Sequence, residues 1–515
     1  MLLRDLVAVS HAVGATRSRL DKRAALAEVL AVAEPDDIEV VVSFLAGELR
    51  QRRTGLGWAS LGTLPAPADE ATLTVAEVDA QFEQISGLSG AGSSSRRTQA
   101  VSQLFARATA DEQDFLRRLV LGEVRQGALD LAIIDAISAA FSVPLATLRR
   151  AVMLRGHTGP VARAALTGGD DEVRAFSLQV GRPVRPMLAS TAPDVRSALV
   201  KLGSHSQVAV DTKLDGIRIQ VHKQDETVRI FTRSLDDITD RLPEVVAVVR
   251  ALSASQLILD GEALLLGPDD KPRPFQETSA RTATRYVDRD SSESTARVTP
   301  FFFDCLYVDG EAVIDEPLER RLQRLDEVVT DELRATRLVT TQEKAAEQFF
   351  ADAVAAGQEG VVVKALDAVY DAGRRGSSWV KVKPRHTLDL VVLAVEWGSG
   401  RRQGLLSNIH LGARDPDTGN FVMLGKTFKG MTDEMLAWQT ARFLELEISR
   451  SGHVVRVRPE QVVEIAFDGL QRSRRYPGGQ ALRFARVLRY RDDKQASEAD
   501  TIDQVRALAA LRSSS

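Results

Sequence analysis

Three changes of hydrophobic period along the chain predict a multidomain protein: an all-α region in front, an α+β region in the middle and a small β-barrel behind. Residues 1–185 place apolar side chains at three- and four-residue spacing, as in KRAALAEVLAVA and FLRRLVLGEV, with almost no strand-like alternation. Residues 186–385 interleave short helices with the strand-like runs VRIFTRS, LILDGEALLL, FFFDCLYVDG, EGVVVKA and WVKVK. Residues 386–500 carry short strands between Gly-rich turns, LDLVVLAVEW, LSNIHLGARD and VVEIAFDG, a pattern that suits a small barrel. Residues 501–515 end the chain with a helix capped near Asp500 and a serine tail that frays.

Composition narrows the class. A chain of 515 residues has room for about three domains, and 44% hydrophobic with 27% charged residues excludes a largely disordered protein. Cys305 is the single cysteine, so a disulfide framework and a Cys-based zinc site are excluded, and a reducing cytoplasm is the natural compartment. The start, MLLRDLVAVSHAVGATRSRL, reads as an amphipathic helix and not as a signal peptide. No run of about 18 apolar residues exists to cross a membrane. A net charge of -4 gives no global attraction to nucleic acid, so any such surface must be local.

Within the front region, FLAGELRQ (44–51) and LVLGEVRQ (119–126) share a Gly-Glu-apolar-Arg-Gln frame, each closing an apolar helix, which points to two related helical halves. Between them SGLSGAGSSSRRTQ (86–99) breaks the helical pattern. Ser94 or Ser95 would cap the next helix there; a helix N-terminus flanked by Arg96 and Arg97 would also seat a backbone phosphate.

The stretch DTKLDGIR (211–218) ends one apolar alternation and begins another, with Lys213 between Asp211 and Asp215 and a turn at Gly216. A free lysine has a pKa of about 10.4, so a nucleophilic one must be kept neutral by desolvation or neighbouring positive charge. Lys381 and Lys383 in WVKVK alternate onto one strand face, and two cations facing a pocket suit a polyphosphate. Glu262 in LDGEA and Glu359 in EGVVVK stand at strand ends where carboxylates could hold a divalent metal. Taken singly, each of these is an ordinary solvated strand-end charge; the information lies in their order.

That ordered set resembles the covalent nucleotidyltransferases, and among them the ATP-dependent DNA ligases, most of all the mid-sized bacterial type with a helical domain in front. The blocks are KLDGIR at Lys213, TRSLDDIT with Arg233, LDGE with Glu262, FFFD with Phe303, EGVVVK with Glu359, YDAGRRGSSWVKVK with Arg375, Lys381 and Lys383, and RYRDDK with Arg491, Asp493 and Lys494. RPVRPMLAS (182–190) and GKTFKGMTD (425–433) extend the likeness beyond them. The resemblance implies an all-α DNA-binding domain at 1–185, an α+β nucleotidyltransferase (adenylation) domain at 186–385 and an OB-fold β-barrel at 386–500. It implies Lys213 as the residue that becomes AMP-lysine, with ATP and Mg²⁺ (or Mn²⁺) as cofactors and nicked double-stranded DNA as the partner of a monomer in the cytoplasm, at the nucleoid. By the same likeness Phe303 stacks on adenine, Glu262 holds the ribose or, with Glu359, the metal, and Arg218, Arg233 and Arg375 bind nucleotide or the nick phosphate. Lys381 and Lys383 offset charge at the α-phosphate, Arg491 and Lys494 reach the leaving phosphates, and Arg96, Arg97 and Arg125 meet DNA. One position departs from the pattern: the usual Glu two residues before the nucleophile is Asp211, one methylene shorter, which leaves its adenine-pocket role open.

Other readings are an RNA ligase, a GTP-using capping enzyme, or an inactive DNA-binding protein on the same scaffold. The front domain and the RPVRPMLAS entry favour a DNA ligase over the first two, and the intact charged positions oppose the last. An NAD-dependent ligase would need a four-cysteine zinc module. Gly425-Lys426-Thr427 imitates a P-loop, but Asn420 stands where its first glycine belongs and the segment lies among short strands.

Overall fold

The computed structural model describes residues 1–51, 54–124, 129–203, 206–268, 270–283, 297–372 and 375–513. The described part of residues 1–185 contains nine α-helices and no strand: α1 Leu3–Ala15, α2 Arg19–Ala31, α3 Ile38–Leu45, α4 Val75–Gly87, α5 Ser93–Ala106, α6 Ala110–Leu121, α7 Leu129–Phe141, α8 Leu145–Arg155 and α9 Thr158–Arg174. Their apolar faces meet in one core around Leu3, Phe44, Phe82, Phe105 and Phe115. Two starts are fixed locally by T-x-x-E capping boxes, Thr74 with Glu77 before α4 and Thr109 with Glu112 before α6. The two echoed segments meet in space: a Cβ on Gly47, after α3, would lie 3.1 Å from Cβ of Val124, after α6. The start of α5 differs from the sequence expectation. Its N-cap is Gly92 at φ +74°, so Ser94 and Ser95 lie inside the helix and cap nothing.

The middle region consists of two five-stranded sheets. Its strands are β1 Leu188–Ala192, β2 Val208–Thr212, β3 Ile217–Gln224, β4 Thr227–Thr232, β5 Gln256–Leu266, β6 Arg297–Val308, β7 Glu311–Ala312, β8 Arg337–Thr340, β9 Val361–Ala365 and β10 Arg375–Val382. One sheet runs β1-β10-β9-β2-β8 and the other β4-β3-β5-β6-β7; β1 and β10 are parallel and all other pairs antiparallel. β2 and β3 follow one another in sequence but belong to different sheets, so residues 213–216 are the crossing between them. A buried ion pair fastens helix Leu318–Val328 to β6: Arg321 donates to both Asp304 oxygens, at 2.9 and 3.1 Å, and to the carbonyls of Glu316 and Ala368. The extra carbonyl acceptors are what make burial of the guanidinium tolerable.

The last region is a curled seven-stranded sheet around its own core. β11 (His386–Trp397) is long enough to serve two partners along one edge, β16 (Val462–Phe467) near its start and β15 (Val454–Val457) near its end. Its other edge pairs with β12 (Leu406–Arg414), which pairs with β13 (Phe421–Thr427); β14 (Glu447–Ser451) extends β15. A hairpin of β17 (Gly469–Arg472) and β18 (Gln480–Arg483) leads to β19 (Arg486–Tyr490), which pairs with β16. The final helix, Ile502–Ser513, is capped by Thr501, whose hydroxyl accepts from the Gln504 amide at 3.2 Å, and not by Asp500. Asp500 is occupied elsewhere, accepting from the Asp389 amide at 2.7 Å and tying the tail to β11.

Gly360 has φ +135°, and a Cβ there would sit 2.2 Å from the Val382 carbonyl oxygen. Gly360→Ala therefore combines backbone strain with a clash against main chain. It is expected to lower the thermal midpoint by several degrees, whereas Gly14→Ala, within α1 and with no atom within 4 Å, leaves it level or slightly raised, as read by differential scanning fluorimetry.

Candidate functional site

The crossing from β2 to β3 is held by main chain. The Lys213 amide donates to the Gly360 carbonyl at 2.8 Å, and the Glu359 amide donates to the Lys213 carbonyl at 3.1 Å. On the far side of the turn, a Cβ on Gly216 would lie 2.3 Å from the Ala263 carbonyl oxygen of β5, so only glycine lets the chain pass that close. Lys213 is thus fixed at the mouth of a cavity of about 250 Å³ between the two sheets. One sheet contributes Asp211, Lys364, Trp379 and Lys381 to its lining, the other Arg218, Glu262 and Phe303, and Arg233 stands exposed at the rim.

Charge in this cavity is arranged in two layers. At the mouth, Glu359 lies between two ammonium groups, those of Lys213 and Lys383. Burial by itself would raise its pKa, but the two lysines outweigh it and hold the carboxylate below its ordinary 4.5. Lys383 also reaches Asp468 of the last region at 3.4 Å. Glu262 has no such neutraliser. Desolvation in the wall pushes it up from 4.5 to about 7, against the opposing pull of Lys213 and Arg218. Among the described residues there is no group of three or more His, Cys, Asp or Glu that could hold a metal by protein ligands alone. A site of one or two carboxylates completed by phosphate oxygens suits Mg²⁺, and an undercompensated Glu262 in the cavity wall fits that requirement.

The inner layer differs from the sequence expectation. Arg218 lines the cavity, but its charge is already committed within the protein. Its guanidinium is buried, donates to both oxygens of Asp260 at 3.0 and 2.6 Å and to the Met187 carbonyl at 2.7 Å, and packs against Phe303 and Trp379. Tyr370 donates to the same Asp260 at 2.8 Å and accepts from the Met187 amide at 3.0 Å. Burial pulls the Arg218 pKa down, but Asp260 and Tyr370 outweigh it and leave it raised, so this side chain is a fixed cation in the wall. Asp211 is likewise committed, with Lys364 at 2.5 Å and Arg337 at 3.3 Å.

Lys364 escaped the sequence reading although it stands in EGVVVK. Its side chain is 2% exposed, donates to the Phe303 carbonyl at 3.2 Å, and lies 4.7 and 4.4 Å from the ring centres of Phe303 and Trp379. A signal was present. Val361 and Val363 enter the core of one sheet, so Val362 and Lys364 face the other way, and a lone lysine in a β-branched run needs a polar reason to be there. Asp260, in the apolar run LILDGEALLL, carried the same signal; Tyr370 and Trp379 were missed because nothing local distinguishes them from core residues.

The remaining candidates are distributed as follows. Arg491 and Lys494 are not at the cavity; both hold Asp389, at 3.0 and 2.6 Å, and Arg491 also holds Asp493. The last region presents Arg483 instead, 3.2 Å from Asp215 in the turn that follows Lys213. In the front region Arg96 donates to the Ser89 carbonyl at 3.0 Å, and Arg97 donates to the Leu88 carbonyl and, at 3.5 Å, to the Ser93 hydroxyl. Arg125 and the side chain of Arg375 lie outside the described residues. The P-loop imitation is a strand: Lys426 in β13 pairs with Glu396, and Thr427 donates to the Ala485 carbonyl at 2.5 Å.

Comparison with known proteins converges on one family. Residues 186–383 match the family model of the ATP dependent DNA ligase domain, residues 402–494 the ATP dependent DNA ligase C terminal region, and residues 62–138 the DNA ligase N terminus. The chain is 63% identical over 517 residues to a probable DNA ligase of Beutenbergia cavernae, covering 99% of this chain and 100% of that one. It is 61% identical over 512 residues to a probable DNA ligase of Nocardioides sp., covering 98% and 99%. Among solved structures it resembles Pmar-Lig_Pre., with a TM-score of 0.62 at 19% identity over 95% of this chain and 99% of that one, a likeness of fold.

Because Glu262 in the folded chain retains a proton that the unfolded chain releases near pH 4.5, its contribution to stability falls as pH rises from 4.5 to about 7 and is level above. Glu262→Gln removes the buried charge. The variant should therefore gain in thermal midpoint over the parent between pH 5 and pH 8, in the absence of nucleotide and metal; a difference independent of pH would show that Glu262 ionises normally.

Proposed function

Because the chain belongs to the ATP-dependent DNA ligases, we propose that it seals 5′-phosphate/3′-hydroxyl nicks in duplex DNA through an enzyme-bound lysyl-AMP and a DNA-adenylate. The observation that carries this reading is the convergence on one cavity, from both sheets, of Lys213 with Glu262, Phe303 and Lys381. Lys213 Nζ, as the neutral amine, attacks the α-phosphorus of ATP; the new N–P bond forms as the bond to the β-phosphate oxygen breaks, and pyrophosphate leaves. AMP then passes to the 5′-phosphate at the nick, and the 3′-hydroxyl displaces it.

The protein's task in each step is to offset negative charge around phosphorus and to align the reacting atoms. Lys381 and Lys383 supply fixed positive charge on the phosphate side. Phe303 offers a ring face to the base, and Arg218, tied to Asp260, is part of the rigid wall behind it. Arg233 and Arg375 serve nucleotide or nick phosphate. Glu262 and Glu359 would hold Mg²⁺ or Mn²⁺, which lowers the charge on the phosphates and competes with Lys213 for Glu359.

The helical region is read as the DNA-binding domain, with Arg96 and Arg125 meeting phosphates and Arg97 shaping the turn before α5, the middle region as the nucleotidyltransferase domain, and the last as an OB-fold that moves. In the arrangement described, the last region offers Asp468 to Lys383 and Arg483 to Asp215 of the nucleophile turn, while Arg491 and Lys494 are held on Asp389. Engagement of the leaving phosphates by Arg491 and Lys494 requires that region to release those contacts and rotate, a domain closure of a familiar kind. The protein acts as a monomer in the cytoplasm, at the nucleoid.

Incubation with ATP and Mg²⁺ should add one AMP to the peptide containing Lys213, detected by mass spectrometry, absent in Lys213→Ala and discharged by nicked duplex. An intact chain without adduct would refute the assignment. Arg491→Ala and Lys494→Ala should each slow lysine adenylylation at least tenfold and spare sealing of pre-adenylylated nicks; equal loss in both assays would remove the proposed division of labour.

A further inference from the structure

Six non-glycine residues among the described ones hold a positive φ, and Leu235, at +68°, is the only aliphatic one. Three of the others are aspartates, whose short polar side chains tolerate that region; a branched apolar side chain does not, so its presence there needs a reason. Leu235 closes the turn that follows β4. Its amide donates to the Thr232 carbonyl at 2.9 Å, the Thr232 amide donates to the Asp236 carbonyl at 2.9 Å, and the Asp236 amide donates to the Thr232 hydroxyl at 3.2 Å. Arg233 is the second residue of this turn, and its side chain stands at the rim of the cavity.

These turn bonds are all main-chain or threonine bonds and do not call for a leucine; what calls for it lies in the helical region. A Cβ on Gly156, the left-handed residue that ends α8, would lie 2.8 Å from Cδ1 of Leu235, so the leucine methyl takes the space that only a glycine leaves open. Gly156 is itself firmly held. Arg185 donates from Nε to the Gly156 carbonyl and from its amide to the Met153 carbonyl, both at 2.9 Å, and Met153 and Leu154 share a core with Val184, Tyr370 and Trp379. Ser234 and Asp236, on either side of Leu235, line a second cleft with Gly47, Leu119 and Gly122 of the two echoed segments. The helical region therefore meets this turn on two sides, while Arg233 faces the cavity. Backbone strain persists only where the surroundings over-determine it, and it gathers at sites whose geometry matters.

We propose that Leu235 is a positioning residue for phosphoryl transfer: through its seat on Gly156 the helical region holds the Thr232–Asp236 turn, and with it Arg233, at the cavity rim. This rests on Arg233 as a phosphate-binding residue, and the test separates the two. In the full chain, kcat and KM for ATP would be measured for AMP transfer to Lys213, together with the rate of AMP transfer from Lys213 to a nicked duplex. Arg233→Ala should slow at least one of these steps. Leu235→Gly removes the strain together with the contact, so it should fold with a thermal midpoint close to the parent's. It should slow the same step about tenfold and change KM for ATP by about twofold at most, because a small displacement costs alignment before it costs binding. Leu235→Met, long enough to reach Gly156, should recover most of the rate. In the Arg233→Ala background Leu235→Gly should cost nothing further, since the leucine acts only through the arginine. Full multiplication of the two losses would overturn the proposal, as would parent rates for Leu235→Gly in both steps. Unchanged rates for Arg233→Ala would instead overturn the role given to Arg233, and the proposal with it.

Discussion

The reciprocal main-chain hydrogen bonds between Lys213 and the Glu359–Gly360 turn are the constraint on which the rest of the site depends. They join the end of β2 to the start of β9 where the chain is about to leave one sheet for the other. A long, flexible lysine placed on a surface loop would sample many positions. Here its backbone is fixed on both sides, so only the side-chain torsions remain to be ordered when a substrate arrives. Gly216 and Gly360 make the geometry possible, because at both positions a side chain would collide with a carbonyl of a neighbouring strand.

Around this anchor the charges divide by function. Those in the wall are satisfied within the protein: Arg218 by Asp260, and Asp211 by Lys364 and Arg337. Such pairs are costly to break and hold shape. Those at the mouth are satisfied only provisionally. Lys213 and Lys383 share Glu359, Lys383 also leans on Asp468, and Glu262 is held near neutrality by desolvation. In the proposed reading, a polyphosphate with a divalent cation would exchange these contacts for its own at little reorganisation. The contacts with Asp468 and Arg483 also couple the mouth to the last region, so that the state of the cavity and the position of that region are not independent.

The Asp211 departure takes its meaning from this division. Its carboxylate lies against Lys364 and Arg337, and Lys364 in turn lies against both aromatic rings of the cavity. Whatever edge of a base enters the cavity meets a carboxylate already paired with an ammonium.

The sequence alone determined what depends on short-range pattern. Helical and alternating periods separated the three regions, and the ordered blocks brought Lys213, Glu262, Phe303 and Lys381 to one family's chemistry before any coordinates, because each block is a short run of residues read along the chain. The tertiary structure decided what depends on partners far apart in the chain. Arg218 found its partner in Asp260, 42 residues away, and Lys364 became a floor to the cavity through Asp211 and Phe303. Arg491 and Lys494 were withdrawn onto Asp389, and Arg97 was committed to its own loop. A charged side chain is placed by whichever counter-charge or carbonyl the fold brings within about 3 Å, and that distance is not written in the spacing of residues along the chain.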